Sequence, residues 1–115
     1  MSVSFNGFNE KILTFKTSGT VAAGAPVQLT SSGTVAASAN DASFCGIAVT
    51  VSSDGFAGVQ LCGYIEVPYS GTAPAVGYAL LESNGNGGVK VDTTNGRSVL
   101  VATVDTTASK VGIIL

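Results

Sequence analysis

Seven carboxylates, two thiols, five basic groups and three tyrosines are the side chains able to titrate, and no histidine accompanies them. Without imidazole, the His-dependent triads, the imidazole general base and His-containing metal sites are all excluded. Cys45 and Cys62 alone cannot close a zinc site, which takes four ligands. The carboxylates are Glu10, Asp41, Asp54, Glu66, Glu82, Asp92 and Asp105. A pair of them could serve glycoside hydrolysis, one protonating the leaving oxygen while the other acts as base or nucleophile. Four of them, Asp41, Asp54, Asp92 and Asp105, stand in or beside turn-like sequence. There a carboxylate accepts backbone N–H groups without any further role. The stretch 84–88 and Asp92 offer oxygens for loose calcium binding, but the alternating acidic spacing of a calcium loop is missing. Gly85-Asn86-Gly87-Gly88 leads into a strand pattern and no Gly-Lys-Ser/Thr follows it, so it reads as a hairpin loop rather than a phosphate cradle. The expectation is a chain that is not an enzyme, with no catalytic residues, no cofactor and no metal.

Formal net charge is −2, and Lys11, Lys16, Lys90, Arg97 and Lys110 are scattered along the chain. Nucleic-acid surfaces and polybasic membrane patches both need clustered cations, so neither partner is expected. The aromatics are equally dispersed, and there is no tryptophan, which speaks against a base-stacking platform. No apolar run approaches the ~18–20 residues of a membrane helix. The opening MSVSFNGFNEK lacks a basic segment followed by an apolar one, so synthesis in the cytosol with reduced cysteines is expected. Charged residues make up only 10% of the chain, and mean hydropathy is +0.45. Either part of the surface is covered by copies of the chain or by a partner, or a neutral Ser/Thr surface does the work of charge.

The elements that must carry these groups are strands. Val, Thr and Ile together supply 32 of 115 residues, and β-branching favours extended backbone. Period-two or apolar runs predict strands at 11–16, 26–30, 33–37, 44–51, 56–67, 78–82, 89–92, 98–104 and 110–115. Ser32-Gly33, Asp54-Gly55, the 84–88 loop and Asn95-Gly96 supply the turns between them. The Ala-rich stretch 36–42 could form one short turn of helix. This pattern predicts an all-β fold: a small closed or partly open antiparallel β-barrel with short loops and little or no helix. Residues 11–115 form one barrel domain, and residues 1–10 a separate N-terminal arm.

Three finer expectations follow. Ser-Gly-Thr-Val-Ala-Ala occurs at 18–23 and at 32–37, with a looser copy at 70–75. Uneven spacing makes these reused turn-and-strand units rather than a solenoid, the alternative being a hydroxyl-rich glycan-reading face. If 44–51 and 56–67 pair through a two-residue loop, Cys45 and Cys62 share one face, as reduced thiols packed like small apolar groups. An odd loop or a bulge breaks that parity. In the arm, Phe5, Asn6, Phe8 and Asn9 are the candidate partner-contact residues. Two phenylalanines in a polar stretch gain ~1.5–3 kcal/mol each on burial. They either reach a neighbouring subunit or partner, or fold back to plug the barrel.

Several segments recur in one order: Gly24-Ala25-Pro26-Val27-Gln28-Leu29, Phe44-Cys45-Gly46-Ile47-Ala48-Val49, Gly58-Val59-Gln60-Leu61-Cys62-Gly63, Glu66-Val67-Pro68, Val76-Gly77-Tyr78, and the closing Val111-Gly112-Ile113-Ile114-Leu115. Over roughly residues 19–115 this resembles the capsid cement (head decoration) proteins of tailed bacteriophages. The N-terminus has no counterpart in that pattern. The resemblance implies a small β-barrel, often a homotrimer. It would sit on the outer surface of the assembled virion head and stabilise contacts between major capsid protein subunits. It transfers no catalytic residue. The alternative is a carbohydrate-binding or adhesin-like β module of a phage tail fibre, although the absence of tryptophan weakens a glycan site.

Overall fold

The computed structural model describes residues 11–92, 94 and 96–115. The arm, with Phe5, Asn6, Phe8 and Asn9, lies outside the described residues. Among those described there are ten strands and no helix: β1 (Lys11–Thr17), β2 (Pro26–Ser31), β3 (Thr34–Ala37), β4 (Gly46–Val51), β5 (Phe56–Cys62), β6 (Tyr64–Pro68), β7 (Gly77–Ser83), β8 (Val89–Val91), β9 (Arg97–Asp105) and β10 (Lys110–Ile114).

The first five strands close into a barrel in the order β1-β3-β2-β4-β5. Its pairings are antiparallel except at one seam, where β1 and β3 run parallel through only two residue pairs, Lys16↔Thr34 and Thr17↔Val35. Along the rest of β1 the partner is β5 alone among the described strands. The other five form an antiparallel sheet ordered β6-β10-β9-β7-β8. That sheet curls until Tyr69, just past β6, bridges Val89 on β8, and Ser70 N donates to Val89 O at 3.0 Å. The approach needs a bare backbone at Gly88, where a Cβ would stand 2.5 Å from Pro68 O. The expected all-β barrel is therefore present, but it takes only the first half of the chain.

One expected strand, 56–67, is in fact two. Gly63 breaks it with φ 90°, a left-handed conformation open to glycine at little cost. β5 stays in the barrel while β6 leaves for the second sheet. The carbonyls loosened at this break are taken by the buried Gln60 side chain, whose Nε2 donates to Cys62 O at 3.1 Å and Tyr64 O at 3.0 Å. The helical turn expected at 36–42 is also absent. β3 runs through Ala37, and Asp41 takes φ 66° because its N–H bonds Ser83 O on β7, 3.0 Å away, instead of a helical neighbour.

Side-chain alternation makes β4 the shared wall of two cores. Ile47 points outward into a cluster with Phe44, Val67, Leu81, Val89, Val99, Val101, Val111 and Ile113. Its neighbour Ala48 points inward, to Val21, Val27, Val35, Ala57 and Val59. Among the described residues the fully buried members of this inner cluster are valine and alanine, which suit a narrow five-stranded interior, and Phe15, Cys45 and Leu61 pack partly buried against them. Arg97 of β9 ties the halves together. Its Nη1 donates to Cys45 O at 3.3 Å, and its guanidinium lies 5.7 Å from the Phe44 ring centre.

The β4–β5 hairpin decides the cysteine question. Ser52 N bonds Phe56 O, leaving a three-residue loop, 53–55, with Gly55 at φ 92°. That odd loop shifts the register, and a bulge between Ala48 and Thr50 shifts it back, so Ile47 faces Gln60. The two departures from the expected loop cancel. Cys45 sits one residue before β4 and bonds Val27 O through its N–H. No disulfide joins Cys45 to Cys62. Both are half-buried rather than fully enclosed, and burial pushes the Cys45 thiol above its ordinary range.

Candidate functional site

Polar groups converge at the far end of β7. In this strand Leu81, Glu82 and Ser83 are all buried in succession, so both of its faces are covered there. Leu81 enters the core. Glu82 lies opposite Lys90 across the β7–β8 hairpin. The loop between them is fixed by Asn84, whose Oδ1 accepts Asn86 N at 2.8 Å and Gly88 N at 3.1 Å. β9 pairs with β7 only as far as Leu81↔Arg97. The vacated edge of Ser83 is taken by Asp41 and Ala42, which exchange two backbone hydrogen bonds with it. This brings Asp41 over Glu82. Asn40 packs so close to Gly85, itself at φ 76°, that a Cβ there would lie 2.9 Å from the Asn40 Cβ. Asp92 arrives just past β8, its N–H on Leu80 O and its Oδ1 accepting Thr94 N at 2.6 Å.

Carboxylate oxygens of Asp41, Glu82 and Asp92 all lie within 4.8 Å of one another. The Lys90 ammonium stands among them. It binds Asp41 Oδ1, donates to Asn40 Oδ1 at 3.0 Å, and lies 3.6 Å from Glu82 Oε1. The hydrogen bond from Lys90 holds the Asp41 carboxyl below its usual range, and Asp41 in turn raises Lys90. Glu82 goes the other way. Its side chain is 1% exposed, and burial, followed by the neighbouring carboxylates Asp92 and Asp41, raises its pKa to about 7. Lys90 opposes this, but its closest bond is to Asp41.

A carboxyl raised on folding binds protons more tightly in the native state than in the unfolded chain. Its contribution is complete below its unfolded value near 4.5 and is lost as pH rises through about 7. Asp41, shifted downward from 3.8, acts below that window. In the presence of a chelator, thermal midpoints are therefore expected to fall between pH 5 and pH 8, and Glu82→Gln is expected to flatten that fall. An unchanged slope in the variant refutes the assignment.

Two of the other described carboxylates, Asp105 and Asp54, behave as turn residues. Asp105 Oδ1 accepts Thr107 N and Ala108 N at 3.0 and 3.1 Å, and Ser52 Oγ bonds Asp54 Oδ1. Glu66 accepts from Tyr64 Oη, 3.2 Å away. Of the acidic residues weighed from sequence, then, the fold gathers Asp41, Glu82 and Asp92. Asn84 to Gly88 forms the expected hairpin loop beside them. The sequence reading counts Glu82 among the carboxylates without singling it out. Its signal was the facing Glu82/Lys90 pair that flanks the loop symmetrically.

A second feature is apolar. The first four residues of β1 are all exposed, so Ile12 (51%) and Leu13 (54%) meet solvent on opposite faces of one strand. Phe56 and Val51 are also exposed, and with Ile12 they line an open groove of about 320 Å³ floored by Gly58. On the second sheet Tyr78 is 81% exposed and Val76, just before it, 72%. No protein-family model and no curated protein matches this chain.

Proposed function

We propose that the protein is a capsid decoration (cement) protein, a homotrimer that binds the outer surface of an assembled phage head and bridges major capsid protein subunits. The observation that carries this reading is the start of β1. Residues 11–15 pair with β5 on one edge, no other described strand lies along them, and apolar side chains stand out from both faces. An isolated body gains nothing from such a strand, whereas a contact with a neighbouring chain can use its edge and both its faces. A rigid β body fits the role, because binding repeated over a lattice sums weak contacts without any chemistry. The sequence resemblance supports the same conclusion.

The test is co-sedimentation of the purified chain with empty heads of the phage whose genome encodes it, alongside sedimentation velocity of the chain alone. Saturable binding at a fixed ratio to coat subunits is the expected outcome, and absence of binding overturns it. Tyr78 favours the second reading, a glycan-binding module of a tail fibre, since an exposed ring is what a sugar face stacks on. Binding on a glycan array that Tyr78→Ala abolishes, without head binding, would decide for it.

A further inference from the structure

The cluster at the end of β7 gathers more acids than bases among its described groups. Three carboxylates face one ammonium, and every group has been brought there by the fold: Glu82 by β7, Lys90 by β8, Asp92 by the turn after β8, Asp41 by the segment that takes over the Ser83 edge. A group of acids is common on protein surfaces and by itself means little. Here one member is different. Glu82 is enclosed, and its Oε2 has no hydrogen-bond donor among the described residues. A buried carboxylate oxygen left without a donor is costly, and native structures leave few of them.

We propose that Asp41, Glu82 and Asp92 form a binding site for a hard divalent cation of the calcium type, in exchange with the Lys90 ammonium. The donors are all oxygen, which selects hard cations over zinc or copper. Calcium stands ~2.3–2.6 Å from its oxygens, so two ligands on one ion are at most ~5 Å apart. The three carboxylates lie within that limit of one another. The amide oxygen Asn40 Oδ1, 3.0 Å from Lys90 Nζ, stands ready as a fourth ligand. Lys90 already meets oxygens of Asp41, Asn40 and Glu82 that the ion would hold, so it acts as a resident monovalent occupant. Its side chain is 29% exposed on a flexible stem, and it can swing to solvent when the ion enters.

This inference does not depend on the cement reading. Full-length chain stripped with chelator is titrated with CaCl₂, with NaCl at matched ionic strength as the control, and followed by thermal shift and calorimetry. Wild type is expected to saturate with half-effect at roughly 10⁻⁴–10⁻³ M, the weak end of protein calcium sites. Asp92→Asn and Asp41→Asn, both toward solvent and tolerable to the fold, should bind at least tenfold more weakly. Lys90→Met should bind more tightly than wild type, since the competing charge is gone. Three results overturn the proposal: no calcium effect in either wild type or Lys90→Met; an effect that NaCl reproduces; or wild-type affinity retained in both Asp92→Asn and Asp41→Asn.

Discussion

On the proposed cement role, deletion of residues 2–10 is expected to abolish binding to phage heads while leaving the thermal midpoint of the remaining body in place. The segment carries Phe5 and Phe8 among Ser, Asn and Gly, and it leads directly into β1. Burying two phenylalanine side chains at a contact is worth about 3–6 kcal/mol. Their loss is roughly a hundred- to ten-thousandfold in association, enough to empty a lattice site at working concentration. The double substitution of Phe5 and Phe8 by Ser should reproduce most of the effect, and Asn6 and Asn9 less of it. The opposing account has the same phenylalanines folding back to plug the barrel of their own chain. In that case the midpoint drops by several degrees and the surviving folded protein still binds heads. The two outcomes separate cleanly, because one changes stability and the other changes only association.

Ile47→Ala should lower the stability of the whole molecule by about 2–5 kcal/mol, the cost of truncating a large buried aliphatic side chain and leaving a cavity. For a chain of this size that is a fall in midpoint of roughly 10 °C or more. Ile47 is fully buried, lies on a barrel strand, and packs its side chain in the core of the other sheet. The substitution therefore tests whether the two sheets unfold together. A single calorimetric transition shifted downward is the expected record. Two separated transitions, with only the later strands affected, would show that β4 is not the common wall described above.

Local chemistry made most strands readable. Val99 and Val101 are buried while Ser98, Leu100 and Ala102 between them are not, a period-two pattern along β9, and Asn84 to Gly88 has the glycines that a three-residue hairpin loop with two left-handed positions needs. The places where sequence reasoning failed were decided at long range. Nothing near Gly63 says that its strand must change sheets; that follows from Leu115 N bonding Gly63 O and from Gln60 reaching over the break. The Ala-rich stretch looked helical until Ser83 offered Asp41 and Ala42 better partners. The acidic cluster was legible only in part, because Asp41 and Glu82 are distant in the chain and meet only when β9 stops short. Glutamate in an apolar strand was the available clue, and its alternation with Leu81 would have placed it off the core face.

The barrel's parallel seam has a kinetic meaning. Its closure rests on two residue pairs, with Lys16 N on Gly33 O and Ser18 N on Val35 O. The β1–β5 ladder, by comparison, runs from Lys11 to Lys16. Cooperative units open where the fewest bonds must break together. Amide protons of Lys16 and Ser18 should therefore exchange with deuterium well before those of β9 and β10, through an opening that parts β1 from β3 and leaves the Ile47 core shut. The barrel is in this sense a clasp rather than a ring, able to part along one line without melting.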